Sequence, residues 1–253
     1  MLGTIALVLA LFIAGRMFYI LRYSPPQMII KLIRHGESTE NVGEVKSKDV
    51  GDHTIELTTQ GWNQGFRRGQ HIGRWKLTNA LIFLSPYQRT RQTRIAILQG
   101  AGFSDGEIEL MSCLEDPLLR EVEAGYAEMD AQLDLRAVHK YFYYRFDGGE
   151  SPADAYARIS LFIDSLHRQF RRTYRFEFIR QLLALPPRTV FVVGHGLSHR
   201  LFIMRWLHLT VEEFDRLANP NNCDEITIAP IQHLKKPQLV KGRWGVQGVR
   251  WRL

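Results

Sequence analysis

The segment Met28–Asn41, MIIKLIRHGESTEN, constrains the fold more than any other part of the chain. It opens with an apolar run, Met28–Ile33, which is typical of a strand buried on both faces of a sheet. The run ends in a cation, an imidazole and a glycine, Arg34-His35-Gly36. Open α/β sheets bind ligands at the carboxyl ends of their strands. The segment therefore predicts a buried strand that carries functional side chains at its end.

The pair Arg34-His35 suits a phosphoryl group. An arginine presents a fixed fork of donors to phosphate oxygens, and an imidazole can form a covalent intermediate. A three-residue match is weak evidence by itself, because a histidine at a strand end is more often a hydrogen-bonded structural residue. Phosphoryl transfer would also require further cations and an acid elsewhere in the chain.

Two further apolar runs end in polar turns of the same kind. Asn79–Leu84 precedes a turn that carries Arg89, and Thr189–Val193 precedes Gly194-His195-Gly196. Because parallel strands end at one edge of a sheet, these side chains are expected to converge in one pocket. The alternation of strands and helices predicts a three-layer α/β/α sandwich with a largely parallel sheet.

Periodicity and turn signals predict the remaining elements. Helices are expected over about Gln60–Trp75, Asp130–Tyr144 and Leu197–Leu207, and short strands at Ile108–Met111 and Cys223–Ile228. The length of 253 residues, with 45% hydrophobic and 23% charged residues, fits one α/β domain, 24–253. Cys113 and Cys223 lie too far apart in sequence to suggest a metal site or a disulfide framework.

The basic charge is concentrated at the C-terminal end. The net charge is +7, and the segment Ile231–Leu253 holds six basic residues and no acidic one. This segment is predicted to be a basic tail, 231–253, that meets anionic lipid or a phosphorylated ligand, or that simply stays solvated. No nucleic-acid-binding signature accompanies the charge, so nucleic acid is not an expected partner.

The N-terminal residues are strongly apolar. Met1–Gly15 carries no charge, and Arg16 separates it from a second apolar run, Met17–Leu21. Together they would form a helix of about 30 Å, the thickness of a bilayer core. A cleaved signal peptide is disfavoured because no basic residue opens the segment, and a buried core helix is the other alternative. Residues 1–23 are therefore predicted to be a transmembrane anchor of a single-pass protein, with the domain in the cytoplasm.

Taken in order along the chain, these motifs resemble the histidine phosphatase superfamily, in its phosphoglycerate-mutase-like branch. The resemblance covers about Met28 to Ile228. The matching residues are Leu32-Ile33-Arg34-His35-Gly36-Glu37-Ser38 with Asn41; Leu57-Thr58 with Gly61; Ser85-Pro86 with Arg89-Thr90 and Gln92-Thr93; Leu119-Arg120-Glu121 with Gly125; Gly149-Glu150-Ser151 with Arg158; and Val193-Gly194-His195-Gly196.

The resemblance implies a role for each matching residue. It makes His35 the nucleophile that becomes phosphohistidine, and Glu121 the proton donor, with Glu123 and Glu128 as rivals. It also implies that the phosphoryl group is bound by Arg34, Arg89, His195 and Asn41, with His195 in the catalytic set. Glu150 and Arg158 are expected to tie a loop to a helix. No metal and no cofactor are implied.

Three functions remain open at this point. The favoured one is a membrane-tethered, metal-independent phosphomonoesterase, whose substrate would be a phosphorylated small molecule, lipid or protein. A mutase would use the same residues but return the phosphoryl group to its substrate. The third is a binding module that kept the fold without the chemistry, and the intact His35, Arg34, Arg89 and His195 argue against it.

Overall fold

The structure is a computed structural model that describes residues 2–23, 28–122, 129–138, 141–173, 180, 183 and 185–252. Some sequence-based expectations lie outside the described residues. These are Gly125, which belongs to the family's motif, and the rival acids Glu123 and Glu128.

In the first half of the chain, strands alternate with helices. In the last part of the described chain, strands succeed one another without long helices between them. The strands are β1 (Met28–Arg34), β2 (Leu81–Leu84), β3 (Leu114–Glu115), β4 (Arg188–Gly194), β5 (Leu217–Ala218), β6 (Glu225–Pro230), β7 (Leu239–Lys241), β8 (Trp244–Gln247) and β9 (Arg250–Trp251). The helices are α1 (Leu2–Tyr23), α2 (Ser47–Val50), α3 (Thr59–Ile72), α4 (Arg74–Thr78), α5 (Gln88–Gly100), α6 (Asp105–Leu110), α7 (Met129–Val138), α8 (Pro152–Thr173), α9 (Gly196–Leu207) and α10 (Val211–Asp215). Short 3₁₀ turns lie at Asp52–Thr54, Pro117–Leu119 and Ile231–His233.

The main sheet has the strand order β3-β2-β4-β1-β6-β8-β7 and is mixed. The strands from β3 to β1 pair in parallel, whereas β6, β8 and β7 pair antiparallel to their neighbours. The prediction of a largely parallel sheet is therefore wrong for the second half. Strands joined by short connections run antiparallel, and β7 and β8 are joined by the tight turn at Gly242, which has φ of 59°.

The predicted basic tail, 231–253, is part of the folded domain. It supplies β7 and β8 to the main sheet, and β9 pairs with β5 in a small second sheet. Val246 in β8 is fully buried against the core. The six basic residues therefore lie on these strands or in the segments that adjoin them.

Helices cover both faces of the main sheet, because successive residues of a strand point to opposite sides. On one side Leu32 and Val192 pack in a cluster with residues of α8 and α9. On the other side Ile33 and Phe191 pack with residues of α3, α5 and α6. The three-layer arrangement predicted from the sequence follows from these two cores.

The strand predicted at Ile108–Met111 is instead part of helix α6. Ser104 caps this helix, and the carboxylate of Glu107 accepts a hydrogen bond of 2.9 Å from the Ser104 backbone N–H. This reciprocal arrangement is a capping box, which starts a helix. The edge strand of the sheet lies slightly later, at β3.

Helix α1 occupies most of the segment predicted to be a membrane anchor, 1–23. Within the ranges that the structure describes, no helix combines the length and the apolar character that spanning a membrane requires. The predicted anchor is therefore not supported.

Glycines bring helices α3 and α5 into backbone contact. A Cβ atom added at Gly69 would lie 1.9 Å from the carbonyl oxygen of Ile97, and one added at Gly100 would lie 1.9 Å from that of Phe66. Such distances leave no room for a methyl group. Because the first turn of α3 holds Gly61 and the first turn of α5 holds Arg89, this contact fixes the positions of these two residues relative to each other.

We predict that Gly69→Ala destabilises the protein by about 1–3 kcal/mol, because the added methyl group must push the two helices apart. Gly106→Ala is the matched control. Gly106 also lies in a helix, a Cβ atom added there would have no neighbour within 4 Å, and alanine there should stabilise by about 0.5–1 kcal/mol. Urea denaturation measures both changes, and a Gly69→Ala variant as stable as the wild type would contradict the close contact.

Candidate active site

The register between β1 and β4 places two histidines side by side. Arg34 lies opposite Gly194 in this parallel pair, and His35 and His195 follow directly. The backbone N–H of His35 donates to the carbonyl of Gly194 at 2.9 Å. The two imidazole rings meet edge to face with their centroids 5.4 Å apart. The expected convergence of two distant histidine motifs is thus present in the structure.

His35 is held as a neutral imidazole with a defined tautomer. Its Nδ1 lies 2.7 Å from the carbonyl oxygen of Gly36, so Nδ1 carries the proton and donates it. The lone pair is therefore on Nε2. Burial lowers the pKa of His35 well below its ordinary value, and the positive charges of Arg89 and Arg34 lower it further. A neutral imidazole with a free ring nitrogen is the form that can act as a nucleophile.

His195 is completely buried beside His35. Its Nε2 lies 2.8 Å from the hydroxyl oxygen of Ser85, and its Nδ1 lies 3.7 Å from a carboxylate oxygen of Glu121. Burial lowers the pKa of His195 well below its ordinary value, with Arg89 and His35 adding to the effect. Three neighbouring strands thus contribute to one cluster, because Ser85 follows β2.

Two guanidinium groups accompany the imidazoles. Arg34 donates from Nη1 to the carbonyl of Pro220 at 2.8 Å, and its Nε is buried without a hydrogen-bond partner among the described residues. Arg89 is 3% exposed, and its Nη1 donates to Asp52, at 2.6 Å to the carboxylate and 2.7 Å to the backbone carbonyl. Buried cations of this kind favour an anionic ligand.

Glu121 follows the 3₁₀ turn Pro117–Leu119 and lies at the His195 side of the cluster. One carboxylate oxygen accepts a hydrogen bond of 3.0 Å from the N–H of Val122. Its side chain keeps 25% of its surface exposed, yet burial is the leading cause that raises its pKa above the ordinary glutamate value, with a smaller contribution from the charge of Asp52. A carboxyl group with a raised pKa stays protonated at higher pH, as an acid catalyst requires.

Thr93 connects the loop that contains His35 and Gly36 to helix α5. Its hydroxyl accepts a hydrogen bond of 3.0 Å from the N–H of Gly36 and donates one of 2.6 Å to the carbonyl of Arg89. Gly36 also has no room for a side chain, because a Cβ atom there would lie 2.4 Å from the carbonyl oxygen of Gly61. His35 and Arg89 are therefore positioned by one buried hydroxyl and one close backbone contact.

Glu150 holds the segment around Glu121 in place. Its carboxylate accepts hydrogen bonds from Arg120 at 2.6 Å and from Arg158 at 2.5 Å. Arg158 also donates to the carbonyl of Leu118 at 2.8 Å. The expectation that Glu150 and Arg158 tie a loop to a helix is confirmed by these contacts.

Asn41 lies in the loop behind His35. Its side-chain oxygen accepts from the N–H of Ser38 at 3.2 Å and from the side-chain amide of Asn222 at 3.0 Å. Asn222 in turn donates to the carbonyl of His35 at 3.2 Å. These described contacts all serve the loop, so a contact of Asn41 with phosphate stays a prediction.

Asp52 is the site residue that the sequence analysis missed. It lies in a 3₁₀ turn within a loop that has no periodic pattern, and nothing in its neighbourhood indicates that it meets Arg89 on another element. A single acidic residue in a polar loop is ordinarily solvated.

The structure defines an α/β protein whose parallel strand ends hold two neutral imidazoles and two arginines in one cluster. Residues 30–233 match the histidine phosphatase superfamily, branch 1. The chain belongs to this superfamily, and the predicted membership is confirmed. A phosphatase or mutase activity is the class that this relationship supports.

Individual relatives agree with this assignment. The chain is 32% identical over 213 residues to a phosphoglycerate mutase-like protein, AT74H, of Arabidopsis thaliana, which covers 79% of this chain and 72% of that protein. It is 23% identical to the broad-range acid phosphatase DET1 of Saccharomyces cerevisiae, covering 78% and 83%. A mycobacterial glucosyl-3-phosphoglycerate phosphatase has a similar fold, with a TM-score of 0.62, 22% identity and coverage of 87% and 97%.

We predict that Asp52→Asn tightens the binding of inorganic phosphate by about threefold to tenfold, because it removes an anion that competes for Arg89. Isothermal titration with phosphate measures the change. Asp49→Asn, an exposed acid on the short helix α2 just before Asp52, is the control and should bind phosphate as the wild type does. Weaker binding by Asp52→Asn would mean that Asp52 helps to build the anion site.

Proposed function

We propose that this protein is a phosphomonoesterase that hydrolyses phosphate esters through a phosphohistidine intermediate on His35. The observation that carries the proposal is the state of His35, which is neutral, presents the lone pair of Nε2 and lies beside two arginines. Those cations would hold the phosphoryl oxygens as charge redistributes in the transition state.

The first step forms the intermediate. The Nε2 lone pair of His35 attacks phosphorus, and the bond between phosphorus and the ester oxygen breaks. Glu121 gives its proton to the leaving oxygen, so the alcohol departs neutral and Glu121 is left as a carboxylate. Arg34 and Arg89 neutralise the phosphoryl oxygens, so the proposal requires neither a metal ion nor a cofactor.

The second step releases phosphate. The Glu121 carboxylate takes a proton from water, the water oxygen attacks phosphorus, and the bond between phosphorus and His35 breaks. His195 supports both steps, because with Nε2 accepting from Ser85 its Nδ1–H would donate to a phosphoryl oxygen. Inorganic phosphate and the original states of His35 and Glu121 result.

A mutase is the second candidate, and the name of the Arabidopsis relative favours it. It would perform the same first step but return the phosphoryl group to a substrate oxygen. The stretch between Glu121 and His195 looks short for a mutase, which usually carries a longer insertion there. The names of the yeast and mycobacterial proteins favour the phosphatase. The substrate would be a phosphorylated small molecule, lipid or protein, and membrane tethering is not part of the proposal.

We predict that the protein incubated with a ³²P-labelled phosphomonoester acquires an acid-labile label and releases inorganic phosphate. His35→Ala should do neither, because it lacks the attacking nitrogen. His71→Ala, an exposed histidine on α3, is the control and should behave as the wild type. Mass spectrometry of peptides isolated at alkaline pH locates the label.

Product analysis with a phosphorylated three-carbon acid separates the two candidate reactions. Free phosphate supports the phosphatase, and an isomerised acid without free phosphate supports the mutase. A protein that never labels and hydrolyses no member of a phosphoester panel would be a binding module.

We predict a bell-shaped dependence of kcat/KM on pH. The rate falls at low pH as His35 gains a proton, and this limb lies below the ordinary histidine pKa because the pKa of His35 is lowered. The rate falls at high pH as Glu121 loses its proton, and this limb lies above the ordinary glutamate pKa because the pKa of Glu121 is raised.

Glu121→Gln should abolish the high-pH limb and slow esters with poor leaving groups by about 10²–10⁴-fold, with a smaller loss on activated aryl esters. Glu109→Gln, an exposed acid on α6, serves as the control. Equal losses on both ester classes would identify another residue as the acid.

A further inference from the structure

A cavity of about 670 Å³ lies at the end of helix α9 opposite to the candidate active site. It is partly open to solvent and is lined by α8, by the C-terminal turn of α9 and by the turn between β7 and β8. Its volume is in the range of small-molecule sites. Helix α9 has 12 residues, so about 18 Å separates this cavity from His195 at the helix start.

Aromatic rings form one corner of the cavity. Trp206 and Trp244 meet at an interplanar angle of 88° with their centroids 5.0 Å apart, and His167 stacks on Trp206 at 5.2 Å. The indole Nε1 of Trp206 is buried and has no hydrogen-bond partner among the described residues. Phe202 also stacks on Trp206, at 5.7 Å, and the aromatic residues that line the cavity are His167, Trp206 and Trp244.

Cations also line the cavity. Lys241 is neutralised by Glu213 at 2.8 Å. Arg205 and Arg243 form no ion pair with any residue that the structure describes, and Asp164 is the acidic residue in the lining. The guanidinium of Arg243 lies 5.9 Å from the centre of the Trp244 ring. Two arginines are thus free to meet an anion next to an aromatic surface.

The rim of the cavity has an unusual backbone. His208, the residue after α9, has φ of 52°, in the left-handed region that non-glycine residues seldom adopt. Its Nδ1 lies 3.4 Å from Nη1 of Arg205. A left-handed residue is a common way to end a helix, and here it brings the imidazole of His208 into contact with Arg205 at the rim of the cavity.

We propose that this cavity is a second ligand site, which binds a nucleotide. The base would lie against the aromatic corner of Trp206 and Trp244, and the phosphates would meet the forked donors of Arg205 and Arg243. The carboxylate of Asp164 would accept hydrogen bonds from the ribose hydroxyls. A bare inorganic anion would leave the aromatic corner unused, and an uncharged aromatic ligand would leave both arginines unpaired.

The proposal also gives a role to part of the basic C-terminal segment. Lys241, Arg243 and Trp244 all come from that segment, and the phosphatase chemistry uses none of them. Failure of this proposal leaves the proposed function untouched, since the two sites share no residue.

Titration calorimetry with ADP tests the proposal. All proteins carry His35→Ala so that the probe is not hydrolysed. We expect one ADP to bind per chain, Arg243→Gln or Arg205→Gln to weaken binding by about tenfold, and Arg67→Gln to change it by less than about twofold. Arg67 is the matched control because it is an exposed arginine on α3, outside the cavity. Thermal melting of each variant verifies folding.

Two further sets of measurements identify where ADP binds and which parts of it are recognised. Arg89→Gln should leave ADP binding unchanged, and the indole N–H resonance of Trp206 should shift on addition of ADP. Pyrophosphate and adenosine should each bind at least about tenfold more weakly than ADP. No binding at about 5 mM ADP, loss of binding in Arg89→Gln, or pyrophosphate binding as tight as that of ADP would each overturn the nucleotide site.

Discussion

The parallel register between β1 and β4 is the constraint on which the candidate site depends. It sets Arg34 opposite Gly194, so the residues that follow, His35 and His195, leave the sheet together. Their backbone hydrogen bond and their ring contact are consequences of that register. A shift of one residue would turn one of the two imidazoles to the other face of the sheet. The apolar cores on both faces fix the register, because Leu32 and Ile33 must each meet their own helical layer.

The charges of the candidate site favour the binding of an anion. Two guanidinium groups lie beside imidazoles that are buried and neutral, and each cation lowers the pKa of His35. The carboxylate of Asp52 offsets the charge of Arg89, whereas Arg34 pairs with a backbone carbonyl and leaves its Nε unused. An incoming phosphoryl group would therefore have to displace Asp52 from Arg89, whereas the Nε of Arg34 is available to it. The cost of burying the arginines is in this way linked to ligand binding.

The sequence allowed the central part of this fold to be predicted, because β1 and β4 are long apolar runs that end in recognisable motifs. It also identified Glu121 and the bridge from Glu150 to Arg158 through the family's order of motifs. Three features could not be predicted correctly from the sequence. Strands β7 and β9 are only three and two residues long, too short for a periodic signal. Asp52 meets Arg89 only through the tertiary fold. Hydropathy alone suggested a membrane anchor at residues 1–23, which the described residues do not support.

The backbone contact between α3 and α5 has an evolutionary consequence. Gly69 and Gly100 lie directly against carbonyl groups of the facing helix. The two helices therefore cannot move closer together or accept larger side chains at this contact, so changes there cannot alter the shape of the site. New substrate preferences, whether natural or selected in the laboratory, should arise instead from exchanges in the loop that contains Asp52. That loop meets the site through the contact between Asp52 and Arg89 and takes no part in the close contact between the two helices, so its sequence is free to change while the helices keep theirs.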